Sequence, residues 1–550
     1  MRPCVALTRL IPLALCLLGS SSFAQITAAA PSESSAGSFR IAGTVVSKAD
    51  GHPLANAQVL LASVKDRQKP QSVVTAEDGK FEFTGLPAGK YALTGTHRGF
   101  LSASYDQHDQ YASAIVTGAG VDTEDLLLKL APHALVAGKV LDEVGEPVRH
   151  ATVTLYYDNH VGGYHEILAA RSAQTDDLGS YEIPSLRPGT YFLSANAQPW
   201  YAVHPHHDPN RSEIPVSSAL DVAYPLTYYP DVTDPDSATP ISVRGGERLQ
   251  FDIHLNPVPS LRLIVHVPVS DPTQNIYRPP LLMQTTLGQP EPAQDGGTTM
   301  ISPGTWEISG VPAGRYNVRL YGPGGGSQMN GVDVSSNTHE LDVSAGEAMC
   351  TVKISVLPAE ISASAQLAIG LRAANKMIPG RLHPDSKNQA DFEDVPAGRY
   401  EVVVWGAGKR FSIAQISAEG AEVAAHSVSL APGANASLSV TVTSGSAEVQ
   451  GTAKSAGKGF SGAMVVLVPK HPEGNHELFR RDQSDLDGTF VLHNVLPGAY
   501  TVVAIENGWD LDWSQPDVIA SYAKHGVPLQ VVDKANQNLT LPSAIEVQPK

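Results

Sequence analysis

A six-residue motif that recurs five times constrains the fold of this chain more than any other feature. Each copy has an aliphatic residue first, glycine fourth and tyrosine sixth, with proline between the aliphatic residue and the glycine. The copies span residues 86–91, 186–191, 311–316, 395–400 and 495–500. Successive glycines lie 100, 125, 84 and 100 residues apart, and each interval is the length of one small domain. The sequence therefore predicts about five copies of one module.

The residues around each motif predict two β-strands joined by a turn. In the first copy, Phe81 and Phe83 precede the motif at a spacing of two, which is typical of a half-buried strand. Proline then fixes one backbone dihedral, and glycine provides a positive φ or room for a close approach. The tyrosine begins the second strand, where we expect its ring to plug one end of the core and its hydroxyl to bond nearby backbone. The predicted structural positions of the repeat are Gly89, Tyr91, Gly189, Tyr191, Gly314, Tyr316, Gly398, Tyr400, Gly498 and Tyr500.

The density of short strands predicts an all-β fold. About seven strands fit into each hundred residues, with a turn roughly every 8–12 residues, and this pattern is typical of a two-sheet antiparallel sandwich. Alternating β-α units and long amphipathic helices are missing from the sequence, which argues against a Rossmann-type or barrel enzyme. We therefore predict a tandem array of about five antiparallel β-sandwich domains.

The spacing of the copies also predicts where each sandwich begins and ends. The predicted sandwiches cover residues 39–131, 132–257, 258–345, 346–444 and 445–550. A loop insertion at residues 198–230 lengthens the second sandwich and is the segment least like the repeat. The fifth is expected to contain a short helix near residues 514–525, because Ser514 can cap it, Pro516 suits its first turn and Gly526 follows its end.

The N-terminus has the three parts of a secretory signal peptide. Arg2 and Arg9 precede an apolar stretch at residues 10–18, and Ser22 and Ala24 are the small residues of a cleavage site. The predicted signal peptide therefore spans residues 1–24, and a disordered linker is expected at residues 25–38. The apolar stretch is too short to cross a bilayer, and no later segment is apolar enough. We expect an extracytoplasmic protein that is periplasmic, attached to the cell surface or secreted.

The net charge and the cysteine content exclude some classes of partner and some kinds of cysteine chemistry. The chain has 38 basic and 55 acidic side chains, a net charge of −17, so a nucleic acid backbone would be repelled. Of its 3 cysteines, Cys350 alone would remain after cleavage, which excludes an intramolecular disulfide and a cysteine-rich metal site. We interpret Cys350 as a small buried hydrophobic residue, with a nucleophile or an intermolecular disulfide as the alternatives.

Copies one and two carry a longer pattern that points to a known family. The pattern begins with A-G-x-V at residues 42–45 and 137–140, and an alternating strand follows at 53–61 and 147–155. In the second copy, D-x-G-x-Y-x-I at residues 177–183 then leads into the motif. This order resembles the carboxypeptidase regulatory-like domain in copies one, two and five, whereas copies three and four resemble only its second half. The whole chain resembles multi-copy exported bacterial proteins of that family. The resemblance implies transthyretin-like sandwiches of seven strands, a fold grouped with carbohydrate-binding-like domains.

The sequence lacks the residues that a carboxypeptidase needs for catalysis. A zinc carboxypeptidase requires a His-x-x-Glu pair and a distant histidine. None of the 19 histidines has a glutamate three residues later, and the His-Glu pairs at residues 165–166, 339–340 and 476–477 lack a second histidine four residues along. We therefore predict that the chain is not an enzyme and has no cofactor and no metal site, with a carboxypeptidase-associated enzyme as a remote alternative.

The aromatic-rich insertion is the first candidate ligand site. It contains Trp200, Tyr201, Tyr224, Tyr228 and Tyr229. A sugar ring packs its apolar face on an exposed aromatic plane and takes hydrogen bonds at its edge. These residues are therefore predicted to bind carbohydrate, and the alternative is that they pin a long loop to the sandwich.

The same insertion contains three adjacent residues with metal-ligand side chains. His206, His207 and Asp208 are of the right types, but neighbours on a loop rarely converge on one ion without a further ligand. We interpret them as ordinary loop residues, with a metal site as the alternative.

Two features of the fifth sandwich complete the set of candidates. Trp509 and Trp513 either contact a ligand or lock the short helix to the sandwich. The acidic turn with Asp485 and Asp487 either binds Ca²⁺ or is an ordinary hairpin turn, and it offers fewer oxygens than a calcium loop uses.

Three functions are compatible with these observations. The first is a non-catalytic exported protein that binds a glycan or polysaccharide, which the exposed aromatic residues and the implied fold favour. The second is a structural or adhesive spacer whose partner is another cell-envelope protein. The third, an enzyme, lacks support from any catalytic motif in the sequence.

Overall fold

A computed structural model shows a chain built almost entirely from β-strands, which form sandwich-like domains in series. It describes residues 38–66, 69–118, 120–204, 217–267, 278–321, 327–335, 338–341, 346–357, 367–373, 376–382, 388–406, 409–424, 427–443, 447–473, 475–532 and 537–550. The predicted signal peptide at 1–24, and the predicted linker except for its last residue, lie outside these residues. No helix within the described ranges is long and apolar enough to cross a membrane. The predicted all-β, tandem sandwich architecture is confirmed.

The first sandwich packs a three-stranded sheet against a five-stranded sheet. Its strands are β1 (Phe39–Ser47), β2 (Gln58–Ser63), β3 (Gln71–Val74), β4 (Lys80–Leu86), β5 (Gly89–Thr96), β6 (Ala103–Ser104), β7 (Ile115–Thr117) and β8 (Leu126–Leu130). The sheet orders are β4-β1-β8 and β3-β2-β5-β6, with β7 also paired to β5. Alternate residues such as Val45, Val59 and Leu128 are fully buried between the sheets, because successive side chains of a strand point to opposite faces.

The second sandwich repeats this arrangement, and its second and third strands are longer than those of the first sandwich. Its strands are β9 (Ala134–Leu141), β10 (Thr152–Asn159), β11 (Glu166–Gln174), β12 (Ser180–Leu186), β13 (Gly189–Asn196), β14 (Val222–Ala223), β15 (Thr227–Tyr228), β16 (Ile241–Val243), β17 (Arg248–Gln250) and β18 (Ile253–His254). The sheet orders are β12-β9-β17, with β18 on β9, and β11-β10-β13-β15, with β16 on β13. Val136, Val153 and Leu193 lie in its core.

The third sandwich follows directly and has a smaller core. Its strands are β19 (Val258–Pro259), which pairs with β14, β20 (Leu261–His266), β21 (Leu281–Thr286), β22 (Gln289–Pro292), β23 (Gly297–Ser302), β24 (Thr305–Val311), β25 (Gly314–Tyr321), β26 (Ser327–Val334), β27 (Thr338–Leu341) and β28 (Glu347–Ala348). The sheet orders are β23-β24-β20-β27 and β22-β21-β25-β26-β28. Leu263, Ile308 and Val318 are fully buried between them.

In the fourth sandwich one strand joins the two sheets. Its strands are β29 (Cys350–Leu357), β30 (Leu367–Ala373), β31 (Lys376–Pro379), β32 (Arg381–Leu382), β33 (Gln389–Val395), β34 (Gly398–Gly406), β35 (Lys409–Glu419), β36 (Glu422–Ala424), β37 (Ser427–Leu430) and β38 (Asn435–Thr443). The long strand β35 pairs with β34 at its start and with β38 over the rest of its length. Cys350 is buried, and its thiol lies 3.1 Å from the carbonyl oxygen of Ala431, so the structure agrees with its interpretation as a packed core residue.

The fifth sandwich carries the one α-helix among the described residues. Its elements are β39 (Ala447–Ser455), β40 (Lys458–Gly459), β41 (Met464–Pro469), β42 (Arg480–Gln483), β43 (Thr489–Val495), β44 (Gly498–Ile505), α1 (Pro516–Ala523), β45 (Val527–Val531), β46 (Asn538–Thr540) and β47 (Ile545–Gln548). Helix α1 lies within the predicted range and has Pro516 in its first turn, but it begins at Pro516 and its N-cap is Gln515 and not Ser514. The hydroxyl of Ser514 donates to the carbonyl oxygen of Gly163 instead, so this side chain serves a contact between sandwiches.

The strand pairing differs in one respect from a purely antiparallel sandwich. In each of the five units the first long strand is antiparallel to the strand before the motif and parallel to a closing strand. The parallel pairs are β1 with β8, β9 with β17 and β18, β20 with β27, β29 with β38, and β39 with β46 and β47. A parallel pair needs a crossover, and here the opposite sheet supplies it.

The five motif tyrosines make the same hydrogen bond in every sandwich. Each hydroxyl donates to the carbonyl oxygen four residues earlier, as the sequence pattern predicts. The pairs are Tyr91 with Pro87 at 2.9 Å, Tyr191 with Arg187 at 2.9 Å, Tyr316 with Pro312 at 2.9 Å, Tyr400 with Pro396 at 2.8 Å and Tyr500 with Leu496 at 3.0 Å. The ring fills the end of the core while its polar tip satisfies the backbone of the turn.

The motif glycines provide room for these tyrosine rings. Gly89, Gly314 and Gly498 do not have a positive φ. A Cβ atom on Gly498 would lie 3.1 Å from the ring of Tyr500, and one on Gly314 would lie 3.4 Å from the ring of Tyr316. Of the two roles expected for glycine here, close approach is the one observed at Gly314 and Gly498, whereas a Cβ atom on Gly89 would have its nearest contact at an ordinary 3.9 Å.

Candidate functional site

Sandwiches one, two, four and five meet around a cavity of about 650 Å³, called here the junction cavity. Its lining includes Tyr111 of sandwich one, Glu166 of sandwich two, Val403 of sandwich four, and Arg481, His493 and Trp513 of sandwich five. The volume lies within the range of roughly 300–1,000 Å³ that is typical of small-molecule sites. Aromatic and charged residues of both signs therefore line one cavity that is open to solvent on one side.

Arg481 lies at the centre of the contact that forms this cavity. It lies on β42, and only 4% of its side chain is exposed. Its guanidinium is 3.0 Å from Asp109, and its central carbon is 4.9 Å from the ring centre of Tyr111, 5.3 Å from that of Trp509 and 4.9 Å from that of Trp513. A buried cation surrounded by three aromatic faces is strongly held, because little water screens the attraction. Arg481 thus joins sandwich one to sandwich five.

Two donors in the cavity wall lack a partner. Arg481 Nε and Trp513 Nε1 are buried, and neither donates a hydrogen bond within the described part of the chain. Buried N–H groups are normally satisfied by protein or by ordered water. Two residues of the wall therefore carry buried donors that no described residue satisfies.

Asp482 adds a carboxyl with altered acidity to the lining of the cavity. Its Oδ2 accepts a hydrogen bond from the backbone N–H of Val491 at 2.8 Å. Burial disfavours the charged form and raises the pKa of Asp482 to about 6, and Asp485 adds to this effect. Near neutral pH this carboxyl can therefore change protonation with its surroundings.

The acidic turn of sandwich five closes the contact with sandwich one. Asp485 Oδ1 accepts the backbone N–H of Ala114 at 2.7 Å, and its Oδ2 is 2.5 Å from Lys90 Nζ. Asp487 Oδ1 accepts the backbone N–H of Thr489 at 3.0 Å. Both carboxylates are thus engaged by donors of the chain, which fits a hairpin turn and not the calcium site that the sequence left open.

The aromatic residues of the insertion do not form one platform. Trp200 is 83% exposed, but Tyr224 and Tyr228 are only 4% and 2% exposed because they pack against the second sandwich. Tyr229 packs against the core edge, with its ring centre 4.9 Å from that of Phe251. The prediction that these tyrosines present an exposed surface with Trp200 is therefore wrong for Tyr224 and Tyr228.

Tyr201 and Tyr224 instead share one carboxylate. Tyr201 donates to Glu143 Oε1 at 2.6 Å, and Tyr224 donates to Glu143 Oε2 at 3.1 Å. Burial and this carboxylate raise the pKa of Tyr201 to about 12. The two hydroxyls hold the insertion on the sandwich, which is the alternative that the sequence left open. His206, His207 and Asp208 lie outside the described residues.

The tryptophans of sandwich five lie at the junction. Trp513 is 3% exposed and forms part of the cavity wall, and Trp509 is half-buried against His108 of sandwich one. The structure thus brings the predicted residues Trp509 and Trp513 together with Arg481, which the sequence did not single out. A signal for Arg481 was absent because Asp109 and Tyr111, its partners in sandwich one, are more than 300 residues away in the sequence.

One group of side chains has the types and the spacing of metal ligands. Asp158, His160 and His165 each offer one ligand atom, and within the described ranges they form the group in which these atoms lie within 4.8 Å of one another. They stand at the tip of the β10–β11 hairpin, beside Gly162 and Tyr164 of the cavity wall. These three residues are hard to recognise in the sequence because the spacing D-x-H-x-x-x-x-H matches no helical metal motif, and the only signal is a hairpin with two adjacent glycines.

Comparison with protein families identifies three segments of the chain. Residues 40–123 and 136–207 match the carboxypeptidase regulatory-like domain. Residues 444–532 match the second β-sandwich domain of BOS complex subunit NOMO1-like proteins. The first two matches confirm the resemblance of copies one and two, and the third matches copy five to a β-sandwich domain of another family.

Comparison with individual proteins gives partial matches. Over 89 residues the chain is 32% identical to the protocatechuate 3,4-dioxygenase beta chain of Burkholderia cepacia, a match that covers 14% of this chain and 38% of that protein. Among solved structures, the minor pilin GBS52 of Streptococcus agalactiae is 15% identical, covers 40% of this chain and 97% of its own, and has a TM-score of 0.20. The Bacillus anthracis TIE protein is 13% identical, covers 73% of each chain and has a TM-score of 0.17.

Proposed function

Since residues 40–123 and 136–207 are carboxypeptidase regulatory-like domains, we propose that the protein is a non-catalytic, exported binding protein that holds carbohydrate in the junction cavity. The cavity combines an indole and a phenol ring with arginine, histidine and acidic side chains. A sugar presents an apolar face and an edge of hydroxyls, so rings and polar groups side by side are the complement that it needs. This composition of the wall is the observation that carries the proposal.

Hydrogen-bonding capacity in the wall favours a ligand rich in oxygen. Arg481 Nε and Trp513 Nε1 are donors without a partner in the described chain, and Asp482 adds a carboxyl that can accept or donate near neutral pH. His493, whose side chain is 60% exposed, adds a further polar group at the rim. Sugar hydroxyls both donate and accept, and can therefore pair with exposed polar groups of the cavity such as His493.

The absence of catalysis is part of the same proposal. The domain families that match are named as a regulatory-like domain and a β-sandwich domain. The relative with an enzymatic name is covered only to 38% of its length, so its activity is not carried over to this chain. Export is supported by the signal-like pattern of residues 1–24.

A glycan array followed by isothermal titration calorimetry with the best glycan tests the proposal. His493→Ala and Gln110→Ala remove polar groups at the cavity rim without emptying a core. Each should weaken binding by about three- to tenfold, which corresponds to the loss of one hydrogen bond.

Trp200→Ala is the matched control, because Trp200 is exposed and lies in the insertion and not in the cavity. Unchanged affinity in this variant, together with weakened binding in the two rim variants, supports the junction cavity as the site. Loss of binding only in Trp200→Ala would move the site to the insertion. A uniformly negative array would overturn carbohydrate binding and leave the protein-partner hypothesis.

A further inference from the structure

The tip of the β10–β11 hairpin gathers three side chains around one point. Asp158 Oδ1 is 2.9 Å from His165 Nε2 and 3.2 Å from His160 Nε2. The two imidazole centres are 5.3 Å apart, so the carboxylate oxygen faces both rings. Two histidines and one carboxylate are a ligand set used for divalent transition metals in proteins.

A second carboxylate orients one of these histidines from another sandwich. His160 Nδ1 is 2.8 Å from Asp512 Oδ1 of sandwich five. An ionised carboxylate can only accept, so the hydrogen of this contact belongs to His160 Nδ1. The other ring nitrogen, Nε2, is then directed at Asp158. Metal-binding histidines commonly have such an outer carboxylate, which fixes the ring and its tautomer.

The carboxylate oxygen at the centre has no proton donor of good geometry. Asp158 Oδ1 is buried and accepts no hydrogen bond from the described residues, although two imidazole nitrogens lie within 3.2 Å of it. With His160 neutral and its hydrogen on Nδ1, the lone pair of His160 Nε2 faces a negative oxygen at 3.2 Å. A cation at the point where the three atoms converge would turn this repulsion into attraction.

We infer that Asp158, His160 and His165 bind one divalent metal ion of the zinc class. Zinc bonds of about 2.0–2.1 Å to nitrogen and about 2.0–2.2 Å to oxygen place tetrahedral ligand atoms roughly 3.3 Å apart. Two of the three separations are near this value, and the third pair, at most 4.8 Å apart, closes by a small rotation of the rings. Calcium is a poor fit, because it takes about six to eight oxygen ligands.

The metal site lies where sandwich two contacts sandwich five. The hairpin tip also accepts two hydrogen bonds from sandwich five, since Gly163 O receives Ser514 N at 3.0 Å and Ser514 Oγ at 2.8 Å. The metal would fix the hairpin that carries these contacts, while Asp512 ties it to sandwich five. Metal binding and docking of sandwich five on sandwich two are therefore coupled and must strengthen each other equally.

Titration of the purified full-length mature chain with Zn²⁺ tests the site, after treatment with a chelator and removal of any histidine tag. Calorimetry should show one Zn²⁺ per chain, and Ca²⁺ should give no comparable heat. His165→Gln should weaken Zn²⁺ binding at least tenfold, and Asp512→Asn should weaken it by about 10–100-fold, as outer carboxylates do. His52→Ala is the control, because His52 also lies 2.5 Å from a carboxylate, that of Asp50, but on an exposed turn of sandwich one.

A second measurement separates a lost ligand from a damaged fold. Circular dichroism without metal should give the same spectrum and midpoint for the wild type and His165→Gln, and Co²⁺ should give a visible absorption band with the wild type alone. Wild-type protein that binds no Zn²⁺ would overturn the inference, as would equal affinity in the wild type and His165→Gln. Either result would leave an imidazolium–carboxylate cluster without metal, and it would not affect the carbohydrate proposal.

Discussion

The indole of Trp509 lies parallel to the imidazole of His108, with ring centres 5.0 Å apart and an interplanar angle of 5°. The two residues belong to the fifth and the first sandwich. Tyr111 adds a second ring, 5.9 Å from that of Trp509, and Arg481 bridges both. The array is thus bent back on itself, and the junction cavity exists because of this contact.

The first prediction concerns this contact. Trp509→Ala should lower the free energy of unfolding by about 2 kcal/mol, because it removes both the stacking and one cation–π face. It should also release sandwich five from sandwich one, which small-angle X-ray scattering would record as a larger radius of gyration. Trp200→Ala, which replaces an 83% exposed indole, should change the stability by less than about 0.5 kcal/mol. Identical scattering and stability in Trp509→Ala and the wild type would show that the contact does not hold the array closed.

The repeated turn could be predicted from the sequence because it is a local structure. Tyr316 bonds a carbonyl oxygen only four residues earlier, and the same is true of the other four copies. The partners are fixed by the motif itself, so the pattern of residues is sufficient. The all-β class follows in the same way from strands and turns that each occupy a few residues.

The junction could not be predicted because its partners are distant in sequence. Lys90 meets Asp485, and Asp109 meets Arg481, only after five domains have packed in series. Nothing in the composition near Arg481 indicates which rings will surround it. The repeat predicts each module, but the packing of modules depends on surface residues that differ from copy to copy.

The burial of individual aromatic residues also depends on tertiary contacts that the local sequence does not indicate. Trp200 and Tyr228 lie in the same insertion, yet the first is exposed and the second is in the core. The strand β15 pairs with β13 and turns the Tyr228 side chain inward. A period-two pattern over two residues is too short to indicate this orientation in advance.

The second prediction compares Gly138, which belongs to the A-G-x-V pattern, with Gly89, which belongs to the repeated six-residue motif. A Cβ atom on Gly138 would lie 1.8 Å from the carbonyl oxygen of Phe251, whereas one on Gly89 would have its nearest contact at 3.9 Å. Gly138→Ala should therefore cost about 3 kcal/mol or more, because β9 and the backbone at Phe251 must separate. Gly89→Ala should be neutral, or stabilising by up to about 1 kcal/mol through reduced freedom of the unfolded chain. Urea unfolding of the two variants measures their free energies of unfolding. Equal losses of stability would contradict the close packing of Gly138 against the backbone at Phe251.

The third prediction concerns the pH dependence that Asp482 imposes on stability. Its pKa is raised by burial from an ordinary value of 3.8 to about 6 in the folded chain. Between these values the folded state binds more protons than the unfolded state, so stability falls as the pH rises from about 4 to about 6 and stays lower above that. A difference of about two units corresponds to roughly 3 kcal/mol as an upper value. Asp482→Asn keeps an acceptor for Val491, so it should be more stable than the wild type by up to this amount at about pH 7.5 and equal to it at about pH 4.

Asp78→Asn is the control of opposite sign for this prediction. Asp78 is exposed, and the backbone N–H of Lys80 lowers its pKa, so the charged form is favoured in the folded state. Any effect of Asp78→Asn should therefore be a small loss of stability at neutral pH that disappears in acid. Chemical unfolding of the wild type and both variants across this pH range measures the differences. A wild type more stable than Asp482→Asn at about pH 7.5 would mean that the carboxylate at the junction is stabilised by its neighbours, and that burial does not dominate its acidity.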